Sequence, residues 1–191
     1  MKPCFPDPTC RHKGQRPHTL RGMVRHYILH YRPRARAELW TFCRQPFEEA
    51  LERAALAQDE RGKRFSHQKP LKGSELRKAR RALLDSAKEL RRCDSFDQLH
   101  NLITEHLNGI RNLGGLYYYD TALRIGASLH LMPERVYLHS GTRDGARALG
   151  LDWRADPLDP RALPKALGDL EPYEIEDFLC IYRDHLRPGM Q

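Results

Sequence analysis

The stretch from residue 107 to residue 151 decides the fold, and it reads LNGIRNLGGLYYYDTALRIGASLHLMPERVYLHSGTRDGARALGL. Apolar residues at helical spacing stop before the Gly114-Gly115 pair and resume after it. Glycine permits a positive φ and leaves backbone amides uncovered, and exposed amides at a helix N-terminus bind anions. We therefore predict two helices joined by a turn, a hairpin near residues 107–122, with an anion site at the turn.

The rest of the chain carries the same helical periodicity. Ser95 and Gln98 form a capping box before an apolar stripe, Ser74 can cap another helix, and Pro33 is expected to end the first helix and open a basic elbow. No segment alternates as a strand does. The predicted helices cover about residues 19–31, 39–43, 47–57, 74–92, 95–110, 117–130, 142–149 and 172–182.

This pattern predicts an all-α protein, a multi-helix orthogonal bundle with a helix-hairpin-helix element. A length of 191 residues is close to the usual size of one domain. We expect residues 1–18 to form an irregular basic arm rich in cysteine and histidine. Residues 19–191 are expected to form a single helical domain.

Composition excludes several classes of protein. Hydrophobic residues at 40% and charged residues at 30% are typical of a globular chain rather than a disordered one, and no apolar run is long enough to span a bilayer. The first residues lack the apolar core of a secretory signal, which predicts a cytoplasmic protein without a membrane partner. Five scattered cysteines favour reduced thiols or a metal site over a disulfide framework.

The net charge of +8 is concentrated in the N-terminal half. Residues 1–100 hold 23 Lys and Arg against 12 Asp and Glu, whereas residues 101–191 hold 10 against 13. This one-sided excess favours a partner with many phosphates, because each neutralised phosphate releases condensed counterions. Part of this excess lies in residues 59–73, which we predict to be an exposed basic loop, and on the outer face of the helix that follows.

Two short motifs within residues 107–151 resemble those of a DNA-repair family. Asn112-Leu113-Gly114 is similar to the glycine-hydrophobic-glycine centre of a helix-hairpin-helix turn, with Asn112 as a left-handed substitute for the first glycine. The segment 136–151, with Val136-Tyr137-Leu138-His139, two arginines and Leu149-Gly150-Leu151, resembles a segment of endonuclease III-like DNA glycosylases. The resemblance covers about residues 74–186. It implies a helical scaffold that grips the DNA backbone through the hairpin.

The chain departs from that family at the family's catalytic positions. Tyr137 occupies the position of the catalytic aspartate, and Leu116 occupies the position of the lyase-type lysine. The iron-sulfur cysteine cluster is missing as well, because Cys180 is the only late cysteine. The family's standard chemistry therefore does not carry over to this chain.

Base excision needs a carboxylate near the flipped nucleoside to stabilise oxocarbenium-like charge. The candidate catalytic residues are therefore Asp120, Glu134 and Asp144. Each has a structural alternative: Asp120 can form a salt bridge beside Arg124, and the other two are typical of the first turn of a helix.

Three consecutive tyrosines, Tyr117, Tyr118 and Tyr119, follow the hairpin. They can stack on an exposed base. Successive residues of a helix point in different directions, however, so at least one of the three is expected in the core.

The N-terminal arm contains a candidate zinc site. Two thiolates and two imidazoles suit the tetrahedral preference of Zn²⁺, and the arm supplies Cys4, Cys10, His12 and His18. Their spacing lacks the short ligand pairs of common zinc fingers, so an arm without metal is the alternative.

Together these features predict a DNA-binding protein on a DNA-glycosylase-like helical scaffold, with duplex DNA as its partner. Whether it also excises damaged or modified bases with a non-standard catalytic residue is left open. The alternative is a non-enzymatic helical interaction module that binds RNA or an acidic protein. The predicted DNA-contacting residues are Asn112, Leu113, Gly114, Gly115, Lys63, Arg64, Lys69, Arg77, Arg81, Arg143 and Arg147.

Overall fold

The structure, a computed structural model, describes residues 17–190. Helices form the regular structure of this part of the chain, which confirms the predicted all-α class, and no helix in it is long and apolar enough to cross a membrane. The helices are α1 Leu20–His30, α2 Arg32–Cys43, α3 Phe47–Ala55, α4 Gly73–Asp85, α5 Ala87–Leu90, α6 Phe96–Leu107, α7 Gly115–Leu129, α8 Ser140–Leu149 and α9 Pro172–Tyr182. Short 3-10 turns cover Ser66–Gln68, Pro160–Ala162 and Lys165–Leu167.

The described chain divides into two compact units. Residues 17–35 and 134–190 belong to one, which we call the terminal unit. Residues 36–133 form the other, which we call the central unit. That residues 19–191 are a single domain stays a prediction.

The terminal unit is built from α1, α8 and α9. The Thr19 hydroxyl caps α1 by accepting a hydrogen bond from the Gly22 amide, and the predicted inward face of α9 is buried. The carboxylate of Glu174 is fully buried and forms a salt bridge of 2.7 Å with Arg32. This salt bridge offsets the desolvation free energy that an unpaired Glu174 carboxylate would cost in the protein interior.

Helices α8 and α9 approach closely at Gly145. A β-carbon at this position would lie 2.0 Å from the Leu179 carbonyl oxygen, a backbone atom that cannot move away cheaply. Only glycine fits here, because it has no side chain to separate the two helices.

The central unit packs α3, α4, α6 and α7 around a leucine-rich core. Ser95 caps α6 as predicted, with the Gln98 amide 3.2 Å from its hydroxyl. The Gln98 side chain bonds the Asp94 amide instead of the Ser95 amide expected of a capping box. The stripe that starts at Phe96 and Leu99 is buried, so the apolar spacing located this helix correctly.

Two predicted helix boundaries were wrong. Pro33 does not form an elbow between helices: it lies in the first turn of α2, where a proline needs no amide hydrogen. Ser74 does not cap α4, since Lys72 holds the cap position and the Ser74 hydroxyl bonds Glu75. The helix predicted to continue to residue 92 is also interrupted, at Ser86.

The Gly145 contact leads to a stability prediction. Replacing Gly145 by alanine should lower the free energy of unfolding by about 3 kcal/mol, because the new methyl group must push α8 away from α9. Chemical denaturation would measure the change. Gly114→Ala is the matched control, since its β-carbon would meet no atom within 4 Å, and its stability should stay within about 0.5 kcal/mol of wild type. Equal stability of the Gly145→Ala protein would contradict the close approach.

Candidate nucleic-acid interface

The turn between α6 and α7 confirms the left-handed backbone predicted for Asn112, whereas Gly114 is extended rather than left-handed. Asn112 adopts a φ of 64°, in the left-handed region that Asn tolerates better than most residues. The Leu113 side chain is buried and anchors the turn to the unit's core. Gly109, with a φ of 89°, is a second left-handed position in the same turn.

Tyr118 holds both ends of this turn together. Its hydroxyl lies 2.9 Å from the Leu113 carbonyl oxygen and 3.3 Å from the Leu107 carbonyl oxygen. Burial raises the pKa of this hydroxyl, which favours the protonated form that can donate to a carbonyl. The turn is therefore fixed by a side chain that the sequence did not single out for this role.

The tyrosine run is structural, which confirms the expectation that at least one of the three lies in the core and leaves none of them exposed for stacking on a base. All three tyrosine side chains are buried. The Tyr117 hydroxyl donates to the Ala55 carbonyl oxygen at 2.6 Å, and burial raises its pKa above the ordinary value. Tyr119 is also fully enclosed, with its ring edge-on to Phe96.

The N-terminus of α7 is open to solvent. Gly114 occupies the cap position with an extended backbone, and no side chain caps the helix. Gly114 and Gly115 are both exposed, and a β-carbon on Gly114 would meet no atom within 4 Å. The first amides of α7 are thus able to donate hydrogen bonds to an anion, because helix N-termini carry uncapped N–H groups and a positive partial charge.

The basic segment 59–73 is partly docked on α7 rather than fully exposed. Gln68 is buried, and its side-chain amide donates to Asp120 at 2.9 Å while its carbonyl accepts from Arg124 at 3.0 Å. His67 lies 2.6 Å from the same Asp120 carboxylate. The Arg124 guanidinium is centred 3.9 Å from the Phe65 ring. Sequence patterns missed these contacts because they join residues more than 50 positions apart.

Arg64 and Arg77 converge beside the N-terminus of α4. A β-carbon on Gly73 would lie 3.3 Å from Arg77 Nη1 and 3.7 Å from Arg64 Nη2. Arg64 Nη1 donates to the Leu71 carbonyl oxygen at 2.7 Å, which fixes one side of that guanidinium. Neither arginine forms a salt bridge with any carboxylate of residues 17–190. We call this feature the Arg64–Arg77 pair.

An open groove continues from this pair along α4. Arg77 and Arg81 line it together with Ser74, Lys78, Ala82 and Asp85. Lys78 is engaged with Glu75 at 3.3 Å, whereas Arg81 has no salt bridge within the described chain. Lys63 and Lys69, predicted to contact DNA, are exposed in the preceding segment.

The two predicted arginine contacts of the terminal unit are neutralised internally. Arg143 forms a salt bridge of 2.6 Å with Asp156. Arg147 pairs with Asp144 at 2.5 Å and also lies over the Trp153 ring. These charges have acceptors already, in contrast to the Arg64–Arg77 pair.

The three candidate catalytic carboxylates differ in their surroundings. Asp120, in the central unit, is half-buried and hydrogen-bonded by His67 and Gln68. The predicted pairing of Asp120 with Arg124 is replaced by an indirect link through Gln68. Glu134 is exposed, and Asp144 takes part in the exposed ion pair of α8.

The predicted zinc site falls almost entirely on residues that the structure does not describe. Cys4, Cys10 and His12 lie outside residues 17–190, and His18 is exposed at the start of the described chain. Within that part of the chain, no group of three or more His, Cys, Asp or Glu side chains could hold a metal ion. Zinc binding by the arm stays a prediction.

We compared the chain with protein-family models, with curated proteins and with solved structures, and none of them matches it.

Proposed function

We propose that the central unit binds the phosphate backbone of nucleic acid, with duplex DNA as the partner. The observation that carries this proposal is the Arg64–Arg77 pair. Two guanidinium groups approach the same glycine, and neither has a carboxylate partner among the described residues. Arginine presents a planar fork of donors that matches the oxygens of a phosphate group.

The placement of these charges favours a bound anion. Two like charges held side by side repel each other, and a phosphate between them removes that repulsion while releasing counterions from the nucleic acid. Arg81 extends the positive surface along the α4 groove. A long polyanion can therefore contact several cations in turn.

The hairpin supplies a second type of phosphate contact. Left-handed Asn112, buried Leu113 and uncapped Gly114 leave the α7 amides accessible. Such amides bind phosphate without reading the base sequence. The resemblance of this turn to a helix-hairpin-helix motif supports duplex DNA as the partner and a DNA-glycosylase-like helical scaffold as the framework.

A direct competition tests duplex DNA against the other polyanions. The alternative partners are RNA and an acidic protein, which share the negative charge but not the regular phosphate spacing of a duplex. A labelled duplex bound to the protein should be displaced by unlabelled duplex at lower concentration than by structured RNA or by polyglutamate. Equal displacement by all three would contradict the preference for DNA.

The Arg64–Arg77 pair gives a prediction about salt dependence. Arg77→Gln should weaken duplex binding and reduce the slope of log K against log salt concentration by about one unit, because one phosphate contact is lost. Fluorescence anisotropy at several salt concentrations would measure both quantities. Arg161→Gln is the matched control, since Arg161 is exposed and pairs with Asp159 in the terminal unit. The same slope in both variants would exclude Arg77 from the phosphate contacts.

The hairpin gives a second binding prediction. Gly114→Glu should lower affinity for duplex DNA roughly tenfold or more at low salt, because a carboxylate beside the α7 amides repels phosphate. The side chain has room, so the fold should be retained. Ala162→Glu makes the same charge change on an exposed 3-10 turn of the terminal unit and is the control. If both variants bind equally well, the hairpin does not contact the backbone.

Base excision is the second candidate function. Among the three candidate carboxylates, the surroundings of Asp120 make it the best suited to be the catalytic residue. Asp120 is held by two hydrogen bonds near the hairpin end of α7, so it is positioned as a catalytic group must be. Duplexes with damaged or modified bases should then accumulate abasic sites, and Asp120→Asn should slow this at least about 100-fold.

Asp144→Asn is the control for that experiment, because its carboxylate pairs with Arg147 at the surface. Alkaline cleavage followed by electrophoresis would count the abasic sites. DNA that stays intact across a broad panel of modified bases would exclude excision and leave the binding proposal standing.

A further inference from the structure

Helix α2 is unusual because almost none of it is buried. Phe42 is its only buried residue, and the Trp40 side chain is 62% exposed. The two residues are about 200° apart around the helix axis, so Trp40 points away from the face that anchors the helix. A tryptophan with this exposure contributes little to the stability of the fold, and its indole ring is accessible to another molecule.

Cationic side chains surround this tryptophan. Arg36 and Arg44 lie one helical turn before and after Trp40, about 6 Å along the axis in each direction. Cys43, on the same side of α2, lies 3.9 Å from the ring nitrogen of exposed His130. We call these five residues the Trp40 face, and all of them belong to the central unit.

We propose that the Trp40 face binds an unpaired base of nucleic acid, with the indole stacked on the base and Arg44 on a neighbouring phosphate. This inference rests on the proposed nucleic-acid function and adds the class of substrate: a duplex that contains unpaired bases. The indole offers a flat surface that every base can stack on, and such stacking does not depend on the base sequence.

Charge favours nucleic acid over a second copy of the chain as the partner of the Trp40 face. Two copies joined through the Trp40 face would bring Arg44 of each copy close to Arg44 of the other, and like charges at an interface oppose association. A nucleic acid supplies the aromatic surface and the negative charge together. Aromatic residues alternating with basic ones are typical of single-strand binding surfaces.

The Trp40 face and the Arg64–Arg77 pair make different contacts, so one experiment can separate them. Fluorescence anisotropy would compare a short blunt duplex with the same duplex carrying two unpaired thymines in one strand. Wild-type protein should bind the second probe roughly tenfold more tightly, because stacking adds to the phosphate contacts. Trp40→Ala should abolish this difference and leave blunt-duplex affinity within about twofold, while Trp40→Phe should retain part of it.

Leu29→Ala is the matched control, since Leu29 is a large apolar side chain with 69% exposure in the terminal unit. It should leave both affinities unchanged. Equal wild-type affinity for the two probes, or an equal loss for both in Trp40→Ala, would overturn the inference. So would a dimer that light scattering detects in wild type and not in Trp40→Ala, with unchanged DNA binding. A different result would contradict the phosphate proposal: an Arg77→Gln variant whose duplex binding depends on salt concentration as steeply as that of wild type.

Discussion

The buried guanidinium of Arg124 determines where the basic segment of the central unit lies. Its exposure is only 3%, and a buried cation costs several kcal/mol unless its donors are satisfied. Glu38 supplies the opposite charge at 3.0 Å, and the Gln68 carbonyl accepts a further hydrogen bond. The Phe65 ring covers the guanidinium face. Residues 65–68 are thereby fixed on α7, because leaving any of these partners out would leave a buried polar group unsatisfied.

The fixed segment in turn positions Arg64. This arginine directly precedes Phe65, and its guanidinium is held by the Leu71 carbonyl oxygen. Arg77 reaches the same place from α4. A guanidinium that is already fixed in the unbound protein loses less conformational entropy when it binds a ligand. A polar network in the interior of the unit thus positions the pair of surface cations to which we assign the proposed phosphate contact.

The sequence predicted local structure well and long-range contacts poorly. Ser95 at a cap and Asn112 at a left-handed position follow from residues a few places away, and both predictions were confirmed. The docking of Gln68 on Arg124 depends on residues 56 positions apart, which no periodicity reveals. Burial of all three tyrosines could not be predicted for the same reason, since the acceptor of the Tyr117 hydroxyl is Ala55.

Net charge alone does not show which arginines have carboxylate partners. Arg143 looked equivalent to Arg77 in the sequence, yet it has a carboxylate partner in Asp156 and Arg77 has none among residues 17–190. A neutralised arginine gains little from a phosphate, because it must give up an existing partner to bind one. Under the proposed function, affinity for a polyanion depends on which cations the fold leaves without acceptors. In the described chain, the converging example is the Arg64–Arg77 pair, which makes the central unit the part on which the proposed phosphate binding depends.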